Sequence, residues 1–224
     1  MSCPTLPPEE LARANFYALL ARLLFAPADA TLLEALARAD GLSADDADLR
    51  DRWQALIKAA VHADADALRE AYDDAFIGTG KSPVSLYTTA YTTRFESEAP
   101  LVALRAELAD LGLARHASSH EPEDHIAALC EVMRHLVVAE DGELWLQARF
   151  FSHWIAPAAQ PLCDAIATHL RGTFYEEVAR LAQGFFELER SAFDMFSSAA
   201  PGGPDRRESR ARRMRQDEHH RRVP

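Results

Sequence analysis

The sequence is poor in the residues that build disulfide frameworks, sharp turns and membrane spans. It contains 3 cysteines and 9 glycines among 224 residues. Cys3, Cys130 and Cys163 are far apart and form no CxxC pair, which argues against a zinc ribbon or a disulfide framework and favours a reducing compartment. No run approaches about 18 consecutive apolar residues, the length that crosses a bilayer. Residues 1–8 hold neither a basic cluster nor an apolar run, so we expect no secretory signal peptide.

The composition and the spacing of the apolar residues predict an all-α fold. Ala, Leu, Arg and Glu dominate, and these side chains lose little freedom on a helical backbone. Hydrophobic residues make up 48% of the chain, enough for a sizeable core. Apolar residues recur at helical spacing in residues 16–24, 53–60, 68–76, 101–111, 126–137, 144–155 and 174–188. We expect Gly78 and Gly112 to end two of these helices, and Pro157 and Pro161 to interrupt another.

One segment, Val84–Thr93, departs from the helical pattern. Its β-branched and aromatic residues are typical of a strand, but the sequence contains no second run of this kind to pair with it. We therefore expect an extended surface segment between two helices, with backbone groups free to bind a ligand. Tyr87 and Tyr91 alternate with threonines in this segment, and we expect both to be exposed.

The net charge of −11 is divided unevenly along the chain. Residues 205–224 contain eight Arg and four acids, so residues 1–204 carry a net charge of −15. An acidic body repels nucleic acid and attracts cationic partners. Since residues 197–224 lack an apolar stripe, we predict a disordered, Arg-rich tail after a single compact helical domain at 1–196. The tail is interpreted as a solvated appendage, with nucleic-acid binding or self-binding as alternatives.

The segment Ser118–His125 combines a helix-start pattern with a cluster of ionisable residues. Pro122 suits the first position of a helix, and acids in the first turn complement the helix dipole. On such a helix Glu121, Asp124 and His125 would share one face. This cluster is interpreted as a structural helix start, as carboxylates that bind Arg guanidinium groups, or as a metal site without visible further ligands. A His among acids also suggests sensitivity to pH.

Motifs for nucleophilic catalysis and phosphate binding are missing. The sequence contains no GxSxG, GxGxxG or GxxxxGK[ST] pattern, and Gly78–Ser82 is similar only to the end of the last of these. We therefore predict no enzymatic activity and no cofactor. The alternative is a metal-dependent hydrolase centred on Glu121, Asp124 and His125.

Four segments match the pattern of one protein family. Glu121–Ile126 reads E-P-E-D-H-I, similar to an E-P-x-D-H-hydrophobic motif. Ala71–Gly78 is similar to an aromatic-x-x-x-Phe-hydrophobic-Gly helix end, and Pro83–Tyr87 to a loop with proline, serine and an aromatic residue. Leu6–Phe25 fits the first helix of the same family. With these motifs the chain resembles the TorD/DmsD family of chaperones over residues 6–196.

The resemblance implies a cytoplasmic chaperone for a molybdenum oxidoreductase that is exported by the twin-arginine route. Such a chaperone binds the twin-arginine signal peptide and the apo-form of the catalytic subunit, assists cofactor insertion and delays export until maturation. Glu121 and Asp124 would accept the arginines. Four aromatic residues would receive the apolar stretch, namely Tyr72, Phe76, Tyr87 and Tyr91. The implied leader-binding residues are Tyr72, Phe76, Pro83, Ser85, Tyr87, Tyr91, Glu121, Pro122, Asp124 and His125. The alternative for Tyr72 and Phe76 is core packing.

The resemblance leaves the client and the assembly open. The family's His-hydrophobic-x-Pro-Trp pattern is replaced here by Trp154–Ala158, and such side chains would shape the leader groove. Relatives serve dimethyl sulfoxide, trimethylamine N-oxide, formate and nitrate systems, and they occur as monomers and as swapped homodimers. Binding of a nucleotide or of the molybdenum cofactor is also left open.

Overall fold

The structure, a computed structural model, describes most of the chain in six stretches. These are residues 6–43, 45–77, 82–92, 100–114, 121–139 and 143–199. The chain divides into two compact units, residues 1–190 and 191–224. Of the second unit only residues 191–199 are described, and they form the end of the last helix. The Arg-rich segment beyond residue 199 lies outside the described residues.

The described residues form nine α-helices and no sheet. The helices are α1 (Pro8–Phe25), α2 (Ala30–Ala37), α3 (Ala47–His62), α4 (Ala65–Tyr72), α5 (Pro100–Asp110), α6 (Ile126–Val138), α7 (Leu144–Phe150), α8 (Ala156–His169) and α9 (Phe174–Ala199). Two π-helical turns, Asp73–Ile77 and Phe151–Ile155, and one 3-10 turn, Thr88–Tyr91, complete the regular structure. The expected all-α fold is confirmed.

Local sequence signals fix several helix ends. Three helices begin behind an aspartate whose carboxylate accepts a backbone amide hydrogen bond at 2.8–2.9 Å, namely Asp29, Asp46 and Asp64. Each of these bonds satisfies an amide that has no partner within the helix. Helix α5 ends before Gly112, as expected. Gly112 has a φ of 74°, a backbone conformation that favours glycine. The amide of Leu113 then donates to the carbonyl of Leu108 at 2.8 Å. Gly78 lies outside the described residues.

Helix α1 supplies the centre of the core of the first unit, and its main partner is α6. The largest fully buried aliphatic side chains of these two helices are Leu20, Leu23, Leu24, Ile126 and Leu129. Burying a Leu or Ile side chain stabilises a fold by about 1.5–3 kcal/mol relative to exposure. The start of α6 is therefore held firmly against the C-terminal half of α1.

A buried ionic cluster ties α1 to α9 inside the first unit. The Arg13 guanidinium donates from Nε and Nη2 to the two carboxylate oxygens of Glu189 at 2.7 and 2.8 Å. The Tyr17 hydroxyl donates to the same carboxylate at 2.7 Å. Burial, together with the negative charge of Glu189, raises the pKa of Tyr17 well above its ordinary value. All three side chains therefore act as one structural unit.

The prolines of α8 do not interrupt the helical run, so that expectation was wrong. Residues 144–169 are helical throughout. Pro157 lies in the first turn of α8, where a missing amide donor costs little, and Pro161 lies further inside the helix. The buried side chains of Leu162 and Ile166 hold α8 in the core, so packing outweighs the missing donor of Pro161.

The last helix extends beyond the expected end of the helical domain. Helix α9 continues to Ala199, past the boundary at residue 196, and the division into 1–196 and 197–224 stays a prediction. Within the described stretches, no helix combines the length and the hydropathy that a membrane span requires.

Candidate functional site

The motif residues meet where residues 82–92, called loop 82–92 below, lie against residues 121–125, called turn 121–125. The amide of Ile126 donates to the carbonyl of Leu86 at 2.8 Å, and the amide of Thr88 donates to the carbonyl of Asp124 at 2.9 Å. These bonds form an isolated antiparallel bridge centred on Tyr87 and His125. The expectation that the backbone of this loop is free was therefore wrong. The loop, described up to Thr92, pairs with turn 121–125 rather than with a strand.

Turn 121–125 precedes a helix instead of opening one, which corrects a second expectation. Helix α6 begins at Ile126 with His125 as its cap, so Ile126 rather than Pro122 occupies the first helical position. Pro122 is half-buried in the turn, where its carbonyl accepts the amide of His125 at 3.2 Å. The first turn of α6 contains no acid. Glu121, Asp124 and His125 are therefore brought together by the turn and loop 82–92, not by helical spacing.

Each motif carboxylate accepts a hydrogen bond from a hydroxyl of the loop. The Tyr87 phenol donates to Oε2 of Glu121 at 2.6 Å, and the Thr89 hydroxyl donates to Oδ2 of Asp124 at 2.5 Å. The two acids differ in burial, since Glu121 is half-buried whereas Asp124 is only 2% exposed. The bond to Glu121 raises the pKa of Tyr87 to about 12, because a phenolate would face a carboxylate.

His125 connects the turn to two other elements. Its Nδ1 accepts the amide of Ala127 at 3.2 Å, so this nitrogen is unprotonated in the capped helix. Its ring packs edge-on against Tyr87 and Phe25, with centroids 5.4 and 6.1 Å away. Burial lowers the pKa of His125, and the negative charges of Glu121 and Asp124 oppose that shift. The imidazole is thus a buried neutral cap as well as a member of the motif.

The aromatic residues at the end of α4 lie deeper than a surface groove requires. Tyr72 is buried, and its hydroxyl donates to the carbonyl of Leu24 at 3.0 Å. Phe76 is half-buried, with its ring centroid 4.7 Å from that of Tyr72. Burial raises the pKa of Tyr72, and the nearby charges of Glu121 and Asp73 add to this shift. Core packing, the alternative interpretation, thus describes Tyr72 in this conformation, and its role in leader binding stays a prediction.

The remaining predicted residues shape loop 82–92. Pro83 is exposed, while Ser85, Tyr87 and Tyr91 are half-buried, so the two tyrosines are less exposed than expected. The Tyr91 hydroxyl donates to the carbonyl of Ser85 at 2.8 Å, and the Ser85 hydroxyl accepts the amide of Tyr87 at 3.3 Å. The amide of Val84 donates to the carbonyl of Ala75, which ties the loop to the π-helical turn after α4. The loop is therefore internally fixed and anchored at several points.

Three further residues of this candidate site were not predicted from sequence patterns. Thr89 holds Asp124, as described above. Arg105 of α5 forms an ion pair with Glu123 at 3.0 Å, and this contact raises the pKa of the guanidinium. Phe25, the last residue of α1, packs on His125 although 58% of its surface is exposed. Their positions depend on tertiary contacts between segments far apart in the sequence.

Metal-dependent chemistry finds no support in the arrangement. Across the six described stretches, no group of three or more His, Cys, Asp or Glu side chains is placed to hold a metal ion. Nδ1 of His125 is occupied by a backbone amide, and Asp124 is held by Thr89. The hydrolase alternative is therefore not supported. Gly78 to Lys81, part of the segment similar to a phosphate loop, lie outside the described residues.

Comparison with known proteins places the chain in a family. The family model described as nitrate reductase delta subunit matches residues 42–171, more than half of the 224 residues. The match extends from just before α3 to the end of α8 and includes loop 82–92 and turn 121–125. No curated protein matches the chain. The chain belongs to the nitrate reductase delta subunit family, a TorD-like family of maturation chaperones for molybdenum enzymes.

Proposed function

We propose that this protein is a cytoplasmic chaperone that binds the twin-arginine signal peptide and the apo-form of the catalytic subunit of a molybdenum oxidoreductase. In this role it assists insertion of the cofactor and delays export until the client is mature. Its partners are proteins, not nucleic acid, and it catalyses no reaction itself. The observation that carries the proposal is the pair of carboxylates, Glu121 and Asp124, that turn 121–125 holds against loop 82–92.

The half-buried Glu121 is the better placed of the two acids to contact a client arginine. An ionised carboxylate has about four lone-pair sites, so accepting the Tyr87 phenol leaves it able to accept a guanidinium as well. Charge-assisted hydrogen bonds of this kind are about twice as strong as neutral ones. The acidic body, with a net charge of −15 over residues 1–204, attracts a cationic leader towards the site.

Asp124 acts differently in this proposal, because its carboxylate is nearly inaccessible. It accepts the Thr89 hydroxyl through its side chain and the Thr88 amide through its backbone. We infer that Asp124 positions loop 82–92, and that Tyr87 of this loop holds the Glu121 carboxylate of the turn in place for the leader. Loss of the Asp124 carboxylate would weaken binding indirectly, by releasing the loop.

Calorimetric titration of a synthetic leader peptide tests the proposal. The peptide contains two adjacent arginines followed by an apolar helix-forming stretch, and its control carries glutamines in place of the arginines. Micromolar affinity for the arginine peptide, about −8 kcal/mol, is expected. The proposal fails if the wild-type protein binds neither peptide or binds both equally.

Isosteric variants separate the roles of the two acids. Glu121→Gln should weaken binding by about 1.5–3 kcal/mol, the worth of a hydrogen bond to a charged group. Asp124→Asn keeps an acceptor for Thr89 and should stay within about 0.5 kcal/mol of wild type, whereas Asp124→Ala should weaken binding. Glu131→Gln, at an exposed acid of α6, is the matched control for loss of one charge. A large loss in Asp124→Asn would instead assign direct arginine contact to Asp124.

A further inference from the structure

An exposed aromatic side chain lies beside the motif histidine. Phe25 is 58% exposed, yet its ring contacts the buried His125 with centroids 6.1 Å apart. His125 in turn contacts Tyr87, the residue that donates to Glu121. Phe25 and the Glu121 carboxylate are therefore linked through the packed rings of His125 and Tyr87.

The exposure of Phe25 does not result from a frayed helix end. The carbonyl of the preceding residue, Leu24, accepts the hydroxyl of Tyr72 at 3.0 Å. After Phe25, the Arg22 guanidinium donates to the carbonyls of Ala26 and Pro27 at 3.4 and 3.3 Å. The amide of the next residue, Ala28, donates to the hydroxyl of Tyr175 at 3.1 Å. The backbone on both sides of Phe25 is therefore held, and the contact with His125 positions the ring.

An ordered aromatic ring that is linked to a carboxylate through two packed rings suits a ligand with both an apolar part and a cationic part. Large aromatic side chains that are ordered before binding lose little entropy when they become covered, and they often provide much of the binding energy. The centroids of Phe25 and Tyr87 are at most about 12 Å apart, as the two ring contacts require. A helix at 1.5 Å per residue spans that distance in at most about eight residues.

We propose that Phe25 is the contact for the apolar segment of the leader, close behind the arginines that Glu121 receives. This inference rests on the proposed function and deepens it, because it sets the direction of the bound peptide. The cations lie towards Tyr87 and Glu121, and the apolar side chains lie towards the C-terminal end of α1. Charge complementarity selects the first part of the peptide and the phenyl ring selects the second.

A peptide pair and a set of exposed-residue variants test the assignment by fluorescence anisotropy. Both peptides carry paired arginines; one continues with about 12 leucines and alanines, and the other with serines and glutamines. Phe25→Ala should weaken binding of the apolar peptide about tenfold and leave the polar peptide within about twofold. Phe25→Leu should retain most of the affinity. Leu11→Ala, at a residue 49% exposed near the other end of α1, is the matched control and should bind as wild type.

Salt separates the two halves of the contact. The loss caused by Phe25→Ala should be equal at about 50 mM and about 500 mM salt, whereas the loss caused by Glu121→Gln should shrink as salt screens the charge. The inference is overturned if Phe25→Ala binds the apolar peptide like wild type, or loses affinity equally for both peptides. Failure of the wild-type protein to bind either peptide would overturn the proposed function together with the inference.

Discussion

Two tyrosine–glutamate hydrogen bonds in this protein share one chemistry and differ in their surroundings. Tyr17 donates to Glu189 at 2.7 Å between α1 and α9, and Tyr87 donates to Glu121 at 2.6 Å at the candidate site. The first pair is buried, with 0% and 3% of the two residues exposed. The second pair is half-buried and borders solvent.

The difference in burial separates an acid that serves folding from the acid that we propose serves binding. Glu189 also receives two hydrogen bonds from Arg13, so its charge is compensated inside the fold. Removing one partner of such a buried pair leaves a charge without compensation, which is costly. At the half-buried Glu121, water can replace a lost partner, so stability depends on it less. Variants at the two pairs test this contrast.

The largest effect is expected from Glu189→Ala. It removes the acceptor of three hydrogen bonds, from the Tyr17 hydroxyl and from Nε and Nη2 of Arg13, whereas Nη1 of Arg13 keeps its ion pair with Glu10. We expect the free energy of unfolding to fall by about 3–5 kcal/mol. Urea denaturation followed by circular dichroism measures this loss. Glu34→Ala breaks an exposed pair with Arg38 and should cost less than about 1 kcal/mol. Similar losses in both variants would contradict a structural role for the buried cluster.

The second prediction compares the two hydroxyls directly. Tyr17→Phe removes a donor from a buried carboxylate and should lower the free energy of unfolding by about 1.5–3 kcal/mol. Tyr87→Phe removes the same group at the half-buried site and should lower it by less than about 1 kcal/mol. Both variants keep the phenyl ring, so lost packing does not enter the comparison. If the order were reversed in denaturation experiments, the assignment of the two pairs would be wrong.

Most of the helices and the position of the candidate site followed from local patterns, but α2 was not predicted. The stripe at residues 126–137 predicted α6, and Gly112 predicted the end of α5, because both signals are carried by neighbouring residues. The motif around Glu121 and His125 pointed to the site for the same reason. The local helix-start pattern was misleading in turn 121–125, because Pro122 suits a helix start but the helix begins at Ile126.

The features that were not predicted from the sequence depend on contacts between distant segments. Loop 82–92 looked like a lone strand because its partner, turn 121–125, has no strand pattern of its own. The exposure of Phe25 and the burial of Asp124 are set by how α1, loop 82–92 and the turn pack together. Periodicity assigns a residue to a helix face, but it does not say which tertiary neighbour covers that face.

The third prediction follows the titration of Tyr87. Its pKa is raised to about 12, chiefly by the hydrogen bond to Glu121. Ultraviolet difference titration of wild type against Tyr87→Phe should therefore show one phenol that ionises near this value. In Glu121→Gln the carboxylate charge is gone, and the same difference titration should move towards about 10, the ordinary value for tyrosine. An unchanged titration would mean that burial, rather than Glu121, controls this phenol.

The smallest effect concerns His125 and acid pH. Burial lowers the pKa of His125 below its ordinary value of 6.5, so the folded protein keeps the imidazole neutral while the unfolded chain takes up a proton near pH 6.5. The contribution of His125 to stability is therefore constant above that pH and is lost as pH falls below it. Protonation of Nδ1 would also remove the acceptor for the Ala127 amide. Acid should thus loosen turn 121–125 and weaken leader binding together.

Asparagine isolates this titration, because it caps helices well and carries no titrating group. Denaturation of His125→Asn at pH 7.5 and at pH 5.5, about one unit on either side of the ordinary His value, should show a smaller loss than wild type. His169→Asn, at an exposed position ending α8, should keep the wild-type loss. Equal pH dependence in His125→Asn and wild type would assign the acid sensitivity to other groups. The proposed leader-binding residue Glu121 lies in the same turn. The decrease in leader affinity in acid should therefore also be smaller in His125→Asn than in His169→Asn.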